Sequence, residues 1–112
     1  MRRIWQAGFV LLGLAVPALA QTAAYVYTPL TPPQFITVGA TAVSLTVPLG
    51  ARLAQICTEQ AEIRYRDDGT APTAGNGMPL YATQCFSYSG NLTAIQFIAV
   101  ATPSSLDVSY YR

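Results

Sequence analysis

The chain of 112 residues contains no histidine and no lysine, and only 10% of its residues are charged. The lack of histidine excludes Ser-His-Asp and Cys-His nucleophilic arrangements and any metal site built on imidazole. The lack of lysine leaves Arg64 and Arg66 as the only basic pair beyond residue 20, too little charge for a phosphate backbone. We therefore predict no nucleic-acid partner, no metal site and no cofactor.

Carboxylates are the one catalytic resource that this composition leaves, since a glycosidase can operate with two of them. A small domain more often uses such groups to solvate its surface. We therefore predict a protein that is not an enzyme and that acts in binding or assembly. A small secreted carboxylate-dependent hydrolase, such as a glycosidase, is the alternative, and a free inhibitor or binding module is a third reading. The candidate acids are Glu59, Glu62, Asp67, Asp68 and Asp107.

Residues 1–20 have the three zones of a secretory signal peptide: a basic start, an apolar run and an A-x-A stop at residues 18–20. Cleavage there removes 20 of 112 residues and leaves a chain of 92 that begins at Gln21. The alternative is an uncleaved membrane anchor, but the uncharged run is shorter than the ~20 residues of a span and contains Pro17. We predict secretion to the periplasm or beyond the cell, free or attached to a particle, with no membrane span after cleavage.

Only two cysteines are present, Cys57 and Cys85. In an oxidising compartment two isolated cysteines favour a disulfide over a metal site, and two buried free thiols are the alternative. If Ile56 and Phe86 face a core, the period of two in a strand turns both neighbouring cysteines outward. A disulfide between neighbouring strands satisfies this arrangement.

Short alternating runs separated by turn residues predict an all-β fold, a compact single-domain antiparallel sandwich or barrel over residues 35–112. Residues 95–100 are apolar on both faces, which is typical of a central strand covered on both sides. No segment has sustained helical periodicity. The predicted strands cover residues 42–47, 53–58, 62–66, 80–81, 85–88, 93–101 and 106–111.

Residues 21–34 are rich in proline and tyrosine, which predicts an extended arm that cannot continue a β-ladder. This arm is either a partly ordered tail or a strand that packs on another subunit. Tyr25 and Tyr27 in the arm, together with Tyr111, are candidate contacts with a protein or cell-surface partner, including a second copy of the chain.

Residues 64–80 form the most distinctive block. Asp67-Asp68-Gly69 predicts a turn in which glycine has positive φ and an aspartate caps local N–H groups. The functional alternatives are a clamp for an anion or carboxylate, formed by Arg64 and Arg66, or a hard-cation site at Asp67 and Asp68. Pairing of Arg66 with Asp68, or of Arg64 with Glu62 or Glu59, would use these charges structurally.

The same block reads R-x-R-D-D-G-x-x-P-T-x-x-x-G-x-x-L. Together with residues 88–98 and 106–111, it resembles small β-rich proteins, mostly uncharacterised, that are encoded among the structural genes of tailed bacteriophages and prophages. The resemblance covers about residues 42–111 and implies a virion-associated or prophage-derived accessory protein without a catalytic assignment. The leader and the cysteine pair depart from that pattern and predict an exported relative of such a module.

Overall fold

The computed structural model describes residues 26–112, so the predicted signal peptide, its cleavage site and Tyr25 lie outside the described residues. Within that range the chain forms eight β-strands and no helix. In particular, residues 26–112 contain no helix of the length and hydrophobicity needed to cross a membrane. The strands are β1 (Gln34–Val38), β2 (Val43–Ser44), β3 (Leu53–Thr58), β4 (Ile63–Arg66), β5 (Met78–Leu80), β6 (Cys85–Tyr88), β7 (Gln96–Ala99) and β8 (Ser104–Tyr111).

The strands form two four-stranded antiparallel sheets. Sheet A has the order β1-β8-β3-β6, and sheet B has the order β2-β7-β4-β5. The inward faces of both sheets share one hydrophobic core, which confirms the prediction of an all-β antiparallel domain. The largest fully buried side chains of sheet A are Val38, Ile56, Leu106, Val108 and Tyr110. Sheet B contributes Ile63 and Phe97, and the turn before β7 contributes Ile95.

Strict alternation positions the residues of β8, the longest strand. Leu106, Val108 and Tyr110 are buried, whereas Asp107 and the other odd-numbered residues lie on the outer face of sheet A. Because β8 lies between β1 and β3, the buried side chains contact neighbours on both sides. The pattern visible in the sequence therefore specifies which face of this strand enters the core.

β3 and β6 have their predicted bounds, and β7 is central as predicted, with Phe97 and Ile98 buried on opposite faces. The predicted strand at 42–47 is shorter in the structure. Ser44 lies opposite Gln96, the first residue of β7. Residues 45–47 extend past that end of β7 and have no residue of the strand to pair with. Leu45 nevertheless remains in the core.

The arm differs from its prediction, because residues 28–30 continue the ladder of their own chain. Thr28 and Arg112 exchange two backbone hydrogen bonds of 2.9 and 3.0 Å, and the Leu30 N–H donates to Tyr110 O at 3.1 Å. Pro29, opposite Tyr111, lies between these bonded positions. An antiparallel edge needs an N–H only at every second residue, so this proline is tolerated. β1 then begins at Gln34, the last residue assigned to the arm.

The turn between β5 and β6 contains a strained residue. Thr83 has φ of +63°, and the Gln84 N–H donates to Tyr81 O at 3.1 Å. A β-branched residue at positive φ is unfavourable by about 1 kcal/mol, whereas asparagine tolerates this region.

We expect Thr83→Asn to raise the free energy of unfolding by about 0.5–1 kcal/mol because it relieves this strain. Equilibrium denaturation in urea measures the change. Thr83→Val, which keeps the β-branch, is the matched control and should bring no gain. A loss of stability in Thr83→Asn would instead mean that the hydroxyl bond from Thr83 to Ala82 O, 2.6 Å long, outweighs the strain.

Candidate functional site

The distinctive block folds as β4, a long loop of residues 67–77, and β5. Ile63 and Tyr65 face the core, so Arg64 and Arg66 lie on the outer face of sheet B. The loop returns over this face. Pro72 is buried there, and Thr73 and Asn76 exchange backbone hydrogen bonds of 3.0 and 3.1 Å that form a tight turn.

Arg64 attaches the loop to the sheet. Its Nη1 donates to Gly77 O at 3.2 Å, and its Nη2 lies 3.6 Å from Glu62 Oε2. Of the two acids considered as partners of Arg64, Glu62 is the one that forms the ion pair. The Arg64 guanidinium thus binds Glu62, just before β4, and the backbone of Gly77 at the end of the loop. Both contacts stabilise the fold of the block.

Arg66 and Asp68 form a two-point ion pair at the start of the loop. Arg66 Nε lies 3.2 Å from Asp68 Oδ1, and Arg66 Nη2 lies 2.5 Å from Oδ2. Asp68 Oδ1 also accepts the Thr70 N–H at 3.1 Å, and Gly69 has φ of +85°. The hydrogen bonds from Arg66 and then from Thr70 lower the pKa of Asp68. The predicted turn, its capping aspartate and its glycine are therefore confirmed.

Asp67 connects the loop of sheet B to sheet A. Its Oδ2 accepts a hydrogen bond of 2.8 Å from the hydroxyl of Tyr88 on β6. Burial and then the Asp67 carboxylate raise the pKa of Tyr88. Tyr88 also packs edge-on against Phe86, which stacks on Tyr65 with ring centroids 4.9 Å apart. The Tyr88 hydroxyl thus connects this aromatic cluster to the start of the loop.

The predicted binding residues separate into two regions. Arg66, Asp67 and Asp68 line a groove of about 300 Å³, with Arg64 under the loop beside it. Sequence reasoning missed the other three residues of this groove, because they become neighbours of the acids only when the loop folds back. These are Asn76, Gly77 and Met78.

Tyr27 and Tyr111 lie in the second region, where the arm pairs with the end of β8. Tyr27 is half exposed and lines a separate depression of about 460 Å³ together with Arg52 and Gly90. Tyr111 lies on the outer face of sheet A, opposite Leu53. These tyrosines remain available for contact with a partner, but they do not belong to the groove.

A hard-cation site at the two aspartates has little support. Asp68 is neutralised by Arg66, and Asp67 accepts from Tyr88. Residues 26–112 contain no group of three or more His, Cys, Asp or Glu side chains that could hold a metal ion. The two acids therefore act as acceptors within the chain.

Glu59 and Asp107 form a second acidic pair, on the outer face of sheet A. A hydrogen bond to Asp107 and the charge of that carboxylate raise the pKa of Glu59. Asp107 lies opposite Cys57 in the ladder between β3 and β8.

The predicted disulfide is confirmed. Cys57 on β3 and Cys85 on β6 lie opposite each other and form a disulfide, with their Cα atoms 4.0 Å apart. Ile56 is fully buried and Phe86 packs against the core, so both cysteines point outward as their neighbours require. The disulfide links β6, an end strand of sheet A, to the central strand β3.

Gly77 allows the close approach of the loop to β4. A Cβ at this position would lie 3.1 Å from Arg64 Cβ and 3.1 Å from Tyr65 O. We expect Gly77→Ala to lower the free energy of unfolding by about 1–3 kcal/mol, since the backbone oxygen cannot move aside cheaply. Gly75→Ala is the matched control in the same loop, because a Cβ there meets no atom within 4 Å. Equal urea midpoints for the two variants would contradict the close approach.

Comparison with protein-family models, with curated proteins and with solved structures finds no match to this chain.

Proposed function

We propose that this protein is a secreted, noncatalytic β-domain that acts in binding or assembly, similar to the virion-associated accessory proteins of phages and prophages. The observation that carries this proposal is that the charged side chains of the distinctive block, residues 64–80, bind other groups of the same chain. Arg64, Arg66, Asp67 and Asp68 all make contacts within the chain. They hold a loop in one shape, and a preformed surface loses little conformational entropy when a partner binds.

The groove offers that partner polar atoms beside an apolar side chain. Met78 is 59% exposed and flanks the exposed side chain of Asn76. Methionine is flexible and polarisable and adapts well to a protein surface. These features favour a protein or cell-surface partner.

The hydrolase alternative is less favoured by the positions of the acids. A glycosidase needs two carboxyl groups about 5–5.5 Å apart for retention or about 6.5–9.5 Å apart for inversion. The Asp107 carboxylate lies close enough to Glu59 to raise its pKa, and neither acid lines the groove. Asp68 is neutralised by Arg66, so it is a poor acid or base.

Secretion is supported by the leader in the sequence and by the disulfide, because disulfides persist in oxidising compartments. An assembly role outside the cytoplasm is consistent with both features. The resemblance of residues 42–111 to proteins encoded among phage structural genes favours assembly with a phage-like particle.

Density-gradient sedimentation of culture fluid and periplasm from the source cells tests this proposal. We expect the protein to co-migrate with a particle or with envelope fragments, and mass spectrometry of the purified chain to give an N-terminus at residue 21. Met78→Ser should weaken the association. Leu49→Ser is the matched control, because Leu49 is also an exposed apolar residue but does not line the groove.

Two results would contradict the proposal. A free, slowly sedimenting chain that binds neither particles nor cells would exclude assembly. Hydrolysis of glycosides by the wild type that is lost in Glu59→Gln and Asp107→Asn, with both variants folded, would establish the hydrolase instead.

A further inference from the structure

The end strands of the two sheets differ in whether another chain could pair with their free edges. Both end strands of sheet B, β2 and β5, are unsuitable for such pairing. β2 has only two residues, and β5 contains Pro79 at its centre. Short edge strands and proline are two common ways to prevent edge-to-edge association.

The ladder register shows which way Pro79 points. The Val100 N–H donates to Glu62 O, so Glu62 and Arg64 direct their backbone groups toward β7. Ile63 and Tyr65 then bond to β5, and Pro79 lies opposite Arg64 in a position without hydrogen bonds. Its nitrogen therefore points to the free edge, where it cannot donate.

β1, at one end of sheet A, is connected to sheet B. Gly39 O, just after β1, accepts the Ala99 N–H at 2.9 Å. Gln34 Oε1 accepts the Thr46 N–H at 3.4 Å. These bonds bring β7 and the segment that follows β2 against the two ends of β1, which makes β1 a less accessible edge than β6.

β6, at the other end of sheet A, has no pairing strand on its free side among residues 26–112. The Thr58 N–H donates to Gln84 O, which sets the alternation of the β3–β6 ladder. Phe86 and Tyr88 then bond to β3, while Cys85 and Ser87 direct their N–H and C=O groups to the free edge. The short Cα–Cα distance at the cysteine pair fits a position without ladder hydrogen bonds. Both outward-bonding residues are exposed, and β6 has neither proline nor charge.

We propose that two copies of this chain pair through β6, antiparallel and around a two-fold axis at Phe86. This inference rests on the proposed role in binding and assembly and names one contact that such a role would use. Cys85 of each copy lies opposite Ser87 of the other in this register. All the outward N–H and C=O groups of these two residues are then bonded, giving four hydrogen bonds across the axis.

A second copy fits this edge for reasons of charge and shape. Because β6 is uncharged, self-pairing in this register brings no like charges together within the strand. The strand has Cys85 and Ser87 on its outward face and two aromatic side chains on its inward face, so an antiparallel copy places like faces together. Phe86 pairs with its own copy across the axis and extends the half-buried cluster of Tyr65 and Tyr88. Exposed Tyr81, in the turn that leads into β6, adds apolar area beside the strand.

A four-residue edge makes a small interface, so we expect a dissociation constant on the order of micromolar. Sedimentation equilibrium on the oxidised full chain, exported with its leader and purified from the periplasm, tests this. We expect the wild type to reach twice the monomer mass at high micromolar concentration. Ser87→Pro should weaken dimerisation at least tenfold, because it removes an N–H that faces the partner and not β3.

Ser87→Ala is the matched control. It also loses the 2.6 Å hydroxyl bond to Gln55, but it keeps the N–H and should still dimerise. Ser87→Lys decides the matter if the proline variant does not fold. Lysine at this outward-facing position keeps the internal ladder and opposes edge pairing, so the chain should be folded and monomeric. Circular dichroism checks that each variant is folded, and mass spectrometry without reductant checks that the disulfide is formed.

A wild type that stays monomeric up to about 1 mM would overturn the inference, as would dimers of unchanged affinity in folded Ser87→Pro and Ser87→Lys. This failure is distinct from failure of the proposed function. A monomeric chain that still co-migrates with particles would reject β6 pairing and leave the binding role in place.

Discussion

Removal of the disulfide by Cys57→Ser together with Cys85→Ser is expected to lower the free energy of unfolding by about 3.6 kcal/mol. The two residues are 28 positions apart, and the value follows from the chain entropy that a link of this span removes from the unfolded state. Domains of this size are commonly stable by only about 5–15 kcal/mol, so the loss is large. Urea denaturation of the oxidised protein and of the double variant measures it.

Reduction of the wild type provides the control for this prediction. Dithiothreitol should lower the wild-type urea midpoint to that of the double variant, and it should not affect the double variant itself. An unchanged midpoint after complete reduction would mean that the link does not constrain the unfolded chain. Reduction should increase hydrogen exchange more in β6 than in the other three end strands, because the disulfide is a covalent link between β6 and its single partner β3.

Alkaline solution is expected to destabilise the protein through Tyr110. The ring is 1% exposed, and its hydroxyl donates to Gln34 Oε1 at 2.5 Å. Burial raises the pKa of Tyr110 from 10.0 to about 12. Above pH 10 the unfolded chain loses this proton while the folded chain keeps it, so the unfolded state is favoured as pH rises. The full contribution is present below pH 10 and is lost between pH 10 and about pH 12, to an extent of about 3 kcal/mol.

Tyr110→Phe identifies the group responsible. At pH 8 this variant should lose about 1 kcal/mol because the bond to Gln34 is absent. Its stability should then fall less steeply with pH than that of the wild type. Tyr81→Phe, at an exposed position, is the control for removal of one tyrosine. Parallel curves for Tyr110→Phe and wild type between pH 8 and 11.5 would contradict the assignment.

The structure changes how the R-x-R-D-D-G block should be interpreted. Its charges suggest a clamp or a cation site when they are considered as free groups. In the fold, Arg64 bonds to Gly77 O and Arg66 pairs with Asp68. A functional role for the block therefore lies in the surface that it shapes, which includes Met78, and less in the charges themselves.

Part of the candidate site could be predicted from local sequence. The turn at residues 67–69 follows from the propensity of Asp-Asp-Gly, and the pairing of Arg66 with Asp68 involves residues two positions apart. The contact between Asp67 and Tyr88 could not be predicted, because the two are separated by 21 positions, one in the loop after β4 and the other on β6 of the opposite sheet. Met78 likewise has no local signal that places it beside Asp68.

Local sequence is enough to predict the all-β character, the bounds of β3 and β6, and the outward direction of both cysteines. These properties depend on side-chain alternation and turn residues within a few positions of one another. The tertiary fold is needed to show that the loop covers β4, that residues 28–30 pair with the end of β8, and that no strand within residues 26–112 pairs with the free side of β6. Each of these depends on pairing between distant segments, where many partners satisfy the same local pattern and only packing of the whole chain selects one.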